Sequence, residues 1–278
     1  MSPRASEFDA AALLARMTER DFAIIDALAR HKIATTATLT ALFFPSRRIA
    51  AARLQVLSKF ELLERFLVPG SGAHRYTLAW RGRVLAALRQ GQLAPTRREA
   101  ELAFHKIAFS AHRAHKEEVN DFFALLHATA RQSGDVKVTE WLNEAEATTG
   151  LMNVRPDAGG TLTWSDGREL AFWYEHDRGT ETLGRLTEMI DRYRTGRIAL
   201  SRRRILLIGL PGSRRLSNLL AAAPAPTGLS VAAHVTVGLP PVSAFAHAMP
   251  AIITEPRWHR FGATAPCSLA ELADRDER

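Results

Sequence analysis

The chain has 278 residues, of which 46% are apolar and 24% are charged, as expected of a globular protein with two compact domains or one large domain. Its single cysteine, Cys267, excludes an internal disulfide and a cysteine-based zinc site within one chain. No apolar run is long enough to span a membrane and no signal peptide is recognisable, so we expect a cytoplasmic protein without a membrane partner.

The net charge of +8 and the pI near 10.3 come mainly from arginine, because only five lysines are present. A chain with this charge attracts polyanions, and counterion release makes nucleic acid the expected partner. An arginine- and alanine-rich coding bias, with no partner implied, is the alternative explanation. The basic residues cluster where a DNA-binding motif needs them, which favours the first explanation.

The first domain is predicted over residues 18–92, after an N-terminal tail at 1–17. Three short amphipathic helices are predicted up to Lys59, the last of them after a turn at Pro45. Two β-rich runs, 62–68 and 76–78, then flank the glycine-rich loop 69–75, and a closing helix follows. Three helices followed by a two-stranded hairpin are typical of a winged helix-turn-helix, a DNA-binding module.

In such a module the third helix enters the major groove of double-stranded DNA with its N-terminal residues against the base edges. The predicted inward face of this helix is Ile49, Leu54 and Leu57. No cofactor is required for this binding. A solvated basic helix in a domain that binds protein is the alternative. The residues predicted to face DNA are Ser46, Arg47, Arg48, Arg53 and Lys59 on the helix, and His74 and Arg75 on the wing.

A helix over residues 96–132 is predicted as the first helix of the C-terminal domain, with a break near Ser110. His112 and His115 lie one turn apart on it. No Glu-x-x-His partner accompanies them, so a packing or surface role is favoured over a metal site. Glu118, on the same helix, is a candidate to lend an acid to the site described next.

The C-terminal domain is predicted over residues 133–265 and a C-terminal tail over 266–278. The order of helix, three strands, helix and strand predicts an α/β/α domain, so the fold class is α/β, or α+β for the whole chain. The second and third strands form a hairpin around Asp166-Gly167. A last strand is predicted at 231–237, followed by a proline-rich loop.

Three carboxylates surround the predicted hairpin. Asp157 precedes it, and Glu175 and Asp177 end its second strand on one face, because side chains alternate along a strand. This arrangement is typical of the restriction-endonuclease-like fold, in which an Asp and a Glu hold a divalent metal that activates water against a phosphodiester. The predicted ligands of Mg²⁺ or Mn²⁺ are Asp157, Glu175 and Asp177, with Glu118 or Glu140 as a further ligand.

The lysine that usually follows the Glu by two residues in that fold is missing. Asp177 stands at its position, no lysine occurs after Lys137, and an arginine cannot act as a base. Standard catalysis is therefore not expected. A purely structural cluster, in which the acids pair with Arg155, Arg178 and Arg185, is the alternative to a metal site.

Six short motifs are spread along most of the chain. They are Thr-x-Arg-Asp-x-x-Ile at 18–24, Leu-Phe-Phe-Pro-Ser at 42–46, Leu-Leu-Glu-Arg at 62–65, Val-Asn-Asp at 119–121, Arg-Pro-Asp-Ala at 155–158 and Glu-x-Asp-Arg-Gly-Thr-Glu at 175–181. With these motifs the chain resembles the replication-relaxation family of plasmid and mobile-element proteins. The resemblance implies DNA binding in the service of replication, mobility or control of a mobile element.

The leading hypothesis is a DNA-binding protein, associated with the nucleoid or a plasmid, that acts in replication or DNA relaxation or in its control. It would bind DNA through the winged helix, and its nuclease-like domain would lack standard catalysis. A metal-dependent nuclease or nickase using Asp157, Glu175 and Asp177 is one alternative. A transcriptional regulator is the other. Self-association as a homodimer and contacts with other replication or mobilisation proteins are left open by the sequence.

Overall fold

The chain forms two compact units, residues 1–113 (the N-terminal unit) and 114–278 (the C-terminal unit). Helices and two separate sheets confirm the predicted α/β class, α+β for the chain as a whole. In the described part of the chain, no helix combines the length and the apolarity needed to cross a membrane. The computed structural model describes residues 14–196, 204–223, 227–236 and 252–276.

Two predictions fall partly or wholly outside these ranges. The N-terminal tail lies outside the described residues as far as residue 13, and the proline-rich loop after the last strand lies outside them at 237–251.

The N-terminal unit packs helices against a small antiparallel sheet with strand order β1-β3-β2. Three helices, a hairpin and a closing helix occur in the predicted order, and the short strand β1 is an addition to it. The elements are α1 (Glu19–His31), β1 (Ala34–Thr35), α2 (Thr36–Phe43), α3 (Arg47–Lys59), β2 (Leu63–Val68), β3 (Ser71–Leu78), α4 (Trp80–Arg89) and α5 (Arg97–Ala108).

Asp21 is fully buried and connects α1 to α3. Its carboxylate accepts hydrogen bonds from the amide (2.7 Å) and hydroxyl (2.8 Å) of Thr18, the N-cap residue of α1, and from Nε of Arg53 on α3 (2.8 Å). A second guanidinium nitrogen of Arg53 also contacts Asp21 and donates to the carbonyl of Arg16 (3.0 Å). Burial by itself would raise the pKa of Asp21, but the hydrogen bonds from Arg53 and Thr18 hold that pKa below its ordinary value.

The inward face of α3 differs from the prediction at one position. Ile49 is 42% exposed, and Ala50 takes its place beside Leu54 and Leu57 in the core. The 50, 54, 57 spacing keeps these side chains on one side of a helix with 3.6 residues per turn. Ala50 also allows the helix to pack closely on its neighbours.

The segment 96–132 forms two helices, with the break at 109–112 that the sequence predicts near Ser110. The first of them, α5, belongs to the N-terminal unit rather than to the C-terminal domain. Phe104 holds α5 to the N-terminal unit, since its ring packs edge-to-face on Phe66 of β2 with centroids 5.5 Å apart.

The C-terminal unit is a sheet with helices on both faces. Its strand order is β4-β5-β6-β7-β8-β9, antiparallel from β4 to β6, parallel from β6 to β8, and antiparallel again at β9. The elements are α6 (Arg113–Ser133), β4 (Val136–Asn143), α7 (Glu144–Ala147), β5 (Ala158–Trp164), β6 (Glu169–His176), α8 (Leu183–Thr195), β7 (Ile205–Leu210), α9 (Ser213–Ala222), β8 (Val231–Val235), β9 (His259–Arg260) and α10 (Leu269–Asp276).

Alternate side chains of β6 enter two separate cores, as the strand period requires. Phe172 and Tyr174 face α6 and α10, and Trp173 faces α8 and α9. Phe122 of α6 stacks on Tyr174 with ring centroids 3.8 Å apart. The hairpin predicted around Gly167 is confirmed, since β5 and β6 pair antiparallel and Gly167 has a φ of +90°.

A glycine allows α6 to lie close to the sheet. A Cβ added to Gly160 of β5 would approach Phe172 to 2.6 Å and Phe123 to 2.8 Å. Residues 266–278, assigned to a tail from the sequence, include α10, whose Leu269 and Leu272 are buried in the same core.

We predict that Arg53→Met destabilises the N-terminal unit by about 2 to 3 kcal/mol, because it leaves the Asp21 carboxylate buried without its cation. Urea denaturation of the full chain, followed by far-UV circular dichroism, measures the effect. The double variant Asp21→Asn/Arg53→Met is the matched control and should recover part of the loss, since no buried charge remains. An unchanged unfolding midpoint for Arg53→Met would contradict the role given to this pair.

Candidate functional site

Helix α3 carries three exposed cations. Arg47, Arg48 and Lys59 are exposed, and none of the three makes a hydrogen bond or ion pair within the described residues. Their side chains are therefore available to an external anion. Gln55, which the sequence analysis did not select, is exposed on the same helix. It could have been found from the sequence, because it follows Arg48 by seven residues, or two helical turns, and therefore lies on the same side of the helix.

Two other α3 residues predicted to face DNA have structural roles. Arg53 is held by Asp21, so its guanidinium is not available at the surface of the helix. Ser46 is the N-cap residue, and its hydroxyl accepts a hydrogen bond from the amide of Ile49 (3.4 Å). The sequence pattern places Arg53 on the helix but contains no indication that Asp21, on another helix, binds it.

The hairpin residues predicted as a wing also turn inward in part. Arg75 is only 9% exposed and donates hydrogen bonds to the hydroxyl of Ser71 (2.7 Å) and the carbonyl of Ala73 (2.8 Å). These bonds stabilise the turn of the hairpin. His74 is partly buried, and its Nδ1 makes no hydrogen bond to any residue that the structure describes.

In the C-terminal unit, Asp157 is the centre of the carboxylate cluster. One of its oxygens lies 2.8 Å from Nε2 of His115 on α6, and the other accepts the backbone amide of His176 at 2.8 Å. Burial disfavours a charged imidazole, yet the hydrogen bond and the charge of Asp157 raise the pKa of His115 above its ordinary value. Asp157 is therefore held by His115 of α6 and by the backbone of β6.

Glu175 meets Asp157, as the sequence predicts. The two carboxyl groups share a hydrogen bond, and the hydroxyl of Tyr193 on α8 donates to Glu175 (2.6 Å). Burial and the charge of Asp157 raise the pKa of Glu175 well above its ordinary value, against the opposing effect of Tyr193. Glu175 is therefore bound to Asp157 on one side and to Tyr193 on the other.

Asp177 is not part of this pair. Its carboxylate contacts the guanidinium of Arg215 on α9 and accepts the amide of Gly179 (2.9 Å). Arg215 also donates to the carbonyl of Glu181 (2.7 Å), which closes the turn after β6. The alternation that places Glu175 and Asp177 on one face does not bring them together, because Asp177 lies beyond the end of β6.

Glu118 and Glu140 are each held by an arginine. Glu118 lies 2.8 Å from Nε of Arg178 and 3.1 Å from Nε2 of His176. Glu140 lies 2.6 Å from Arg204, which also donates to the carbonyls of β5 and β6. Of the three arginines proposed for a structural cluster, Arg178 makes such a pair.

The predicted metal-binding set does not fit this arrangement. A divalent cation needs several ionised carboxylates with free oxygen atoms. Asp157 is held by His115 and the amide of His176, Asp177 contacts Arg215, and Glu175 accepts a hydrogen bond from Tyr193. Within the described ranges, no group of three or more His, Cys, Asp or Glu side chains is arranged to hold a metal ion.

A cavity of about 350 Å³ opens beside the cluster, and His176 and His234 line it. Nδ1 of His176 lies 3.1 Å from the hydroxyl of Tyr174. His234 of β8 is 1% exposed, and its ring centroid lies 4.1 Å from that of Trp258. Within the described part of the chain, neither of its ring nitrogens makes a hydrogen bond of standard geometry. His234 was not predicted from the sequence. It could have been found as the one polar residue within the apolar run Val-Ala-Ala-His-Val.

Burial lowers the pKa of His234 to about 3. The unfolded chain has the ordinary value near 6.5, so below that pH it binds a proton that the folded protein does not. The neutral, buried His234 therefore costs the folded protein no stability above pH 6.5. The free energy of unfolding falls as the pH falls from 6.5 toward 3. We predict that His234→Leu reduces the stability lost between pH 7 and pH 5 by about 2 kcal/mol.

Urea denaturation at both pH values measures this difference. The exposed His112→Gln is the control and should keep the acid sensitivity of the unmodified protein. An identical loss in His234→Leu and in the unmodified protein would contradict the assignment.

Comparison with known proteins gives one family. The chain matches the model of the replication-relaxation family over residues 25–201, which is more than half of its length and includes α3, the hairpin and the carboxylate cluster. Neither the curated proteins nor the solved structures provide a match. The match confirms the resemblance carried by the sequence motifs, and the chain belongs to the replication-relaxation family.

Proposed function

We propose that this protein binds double-stranded DNA and acts in the replication or DNA relaxation of a plasmid or mobile element, or in the control of that process. The N-terminal unit is a winged helix-turn-helix that inserts α3 into the major groove. The C-terminal unit is a nuclease-like scaffold without standard catalysis. Family membership supports the replication or relaxation role, and the distribution of charge supports DNA binding.

The observation that carries the proposal is the separation of charge between the units. Residues 1–113 contain 18 Lys and Arg against 9 Asp and Glu, a net charge of +9. Residues 114–278 contain 19 against 20, a net charge of −1. A coding bias toward arginine acts on the whole chain and does not explain why all of the excess lies in one unit.

The position of the cations within the N-terminal unit supports the same proposal. Arg53 and Arg75 are used internally, whereas Arg47, Arg48 and Lys59 of α3 are exposed. Cations without internal partners bind phosphate or base edges without first losing an ion pair. The order of three helices and a hairpin is the one in which a winged helix presents its third helix to DNA.

The pairing of the acids supports a scaffold without standard catalysis. Activation of water by a metal requires carboxylates that are free to ligate it, and in this unit they are matched by His115, Arg178, Arg204 and Arg215. Duplex binding by the N-terminal unit does not depend on this cluster.

We predict that Arg47→Ala/Arg48→Ala weakens duplex binding on the order of tenfold or more and lowers its dependence on salt, because two cations that contact DNA are lost. Titration of a fluorescent random-sequence duplex at several salt concentrations measures both effects. Arg185→Ala/Arg214→Ala is the matched control, since it removes the same charge from exposed positions of the C-terminal unit. Equal binding by the two double variants would overturn the DNA-binding role of α3.

One observation favours a second function, a metal-dependent nuclease or nickase. Asp157 and Glu175 bring two carboxyl groups into direct contact, as a pair of metal ligands would. The pairing of Asp177 with Arg215 removes the third predicted ligand. The second function would therefore need a metal held by fewer protein carboxylates than the sequence predicts.

Supercoiled plasmid incubated with Mg²⁺, Mn²⁺ or EDTA decides between the two functions. We predict no nicking by the protein and equal plasmid binding by Asp157→Asn/Glu175→Gln, whose side chains keep the shape of the pair. Metal-dependent nicking that disappears in this variant would establish the nuclease and overturn the scaffold assignment.

A further inference from the structure

We infer, on the basis of the proposed function, that α3 reads a guanine with Arg48 and an adenine with Gln55, while Arg47 contacts phosphate and carries no sequence information. The stripe that faces the groove, here named the reading stripe, is Arg48, Ala52, Gln55 and Lys59. The target is thus a duplex with a G·C pair and an A·T pair about one third of a helical turn apart, rather than DNA of any sequence.

The reading stripe follows from the period of the helix. At about 100° per residue, positions 48, 52, 55 and 59 fall within about 60° of one another. The buried positions Ala50, Leu54 and Leu57 point in the opposite direction. Because the core fixes the inward face of α3, it also determines which residues project farthest outward.

The other cations of α3 lie off this stripe. Arg53 is held by Asp21, which removes it from the set of base-reading residues. Arg47 is exposed because it is the first residue of α3, but it lies about 100° around the helix from Arg48 and on the side of the core residue Leu54, so it reaches phosphate rather than base edges. Lys59, the last residue of α3, lies where the helix leaves the groove.

The side chains of the stripe suit direct readout. A guanidinium binds O6 and N7 of guanine with two hydrogen bonds, and a glutamine amide binds N6 and N7 of adenine in the same way. Ala52, between them, has no side chain that would hold the helix away from the bases. Arg48 and Gln55 make no hydrogen bond to any described residue, so both are available to bases.

The separation of the two residues sets the spacing of the bases. Seven residues along a helix correspond to about 10 Å. This is about three base-pair steps of duplex DNA. A helix that lies along the groove would therefore contact a guanine and an adenine about three base pairs apart.

Selection of bound duplexes from a random-sequence pool by the full chain tests the inference. We expect a motif with a guanine and an adenine at this spacing. Gln55→Ala should lose the preference at the adenine, by about 5- to 150-fold in discrimination, and keep the guanine. Arg48→Ala should lose the guanine and keep the adenine. Arg47→Ala should keep the whole motif, with weaker binding and a salt slope reduced by about one.

The outcomes separate this inference from the proposed function. A motif unchanged in Gln55→Ala, or salt-dependent binding of the full chain without any motif, would overturn the reading stripe and leave the DNA-binding proposal intact. No binding of duplex by the full chain would overturn both. Gln55 is exposed and alanine favours the helix, so loss of folding does not explain a change in this variant.

Discussion

A carboxylate that is removed from water has to meet a cation or several hydrogen-bond donors, and this constraint shapes both units. In the N-terminal unit, Asp21 holds Arg53 and the N-terminus of α1, which fixes α3 against the core. In the C-terminal unit, Asp157 and Asp177 meet His115 and Arg215 at the end of β6. In each case the partner comes from another element, so the pair connects parts of the chain that are distant in sequence.

The same constraint decides which cations remain for an external partner. A chain with 37 Lys and Arg offers many candidates, but those beside a buried acid are already engaged. On α3, Arg53 is bound to the buried Asp21, whereas Arg47, Arg48 and Lys59 are exposed. The proposed DNA contact therefore depends on Asp21, although Asp21 itself is buried and does not face the solvent.

In the C-terminal unit, the same constraint leaves few carboxylates available to an external metal ion. The ends of β5 and β6 bring Asp157 and Glu175 together, and Glu175 also accepts a hydrogen bond from Tyr193. Arg215 then holds the third acid apart. A sheet with helices on both faces can thus keep the acids of a nuclease-like arrangement while pairing them for structure, which is the reason for proposing a scaffold rather than a nuclease.

The sequence alone determined the local structure of this protein. Period, capping and turn residues specified the helices of the N-terminal unit, the hairpin around Gly167 and the break near Ser110, because these features depend on neighbouring residues. The motifs likewise specified the family. Only the tertiary structure decided the partners of Arg53 and Asp177, because each partner lies more than thirty residues away on another helix. The sequence shows which residues are charged, but the packing of the elements against one another determines which oppositely charged residue each of them contacts.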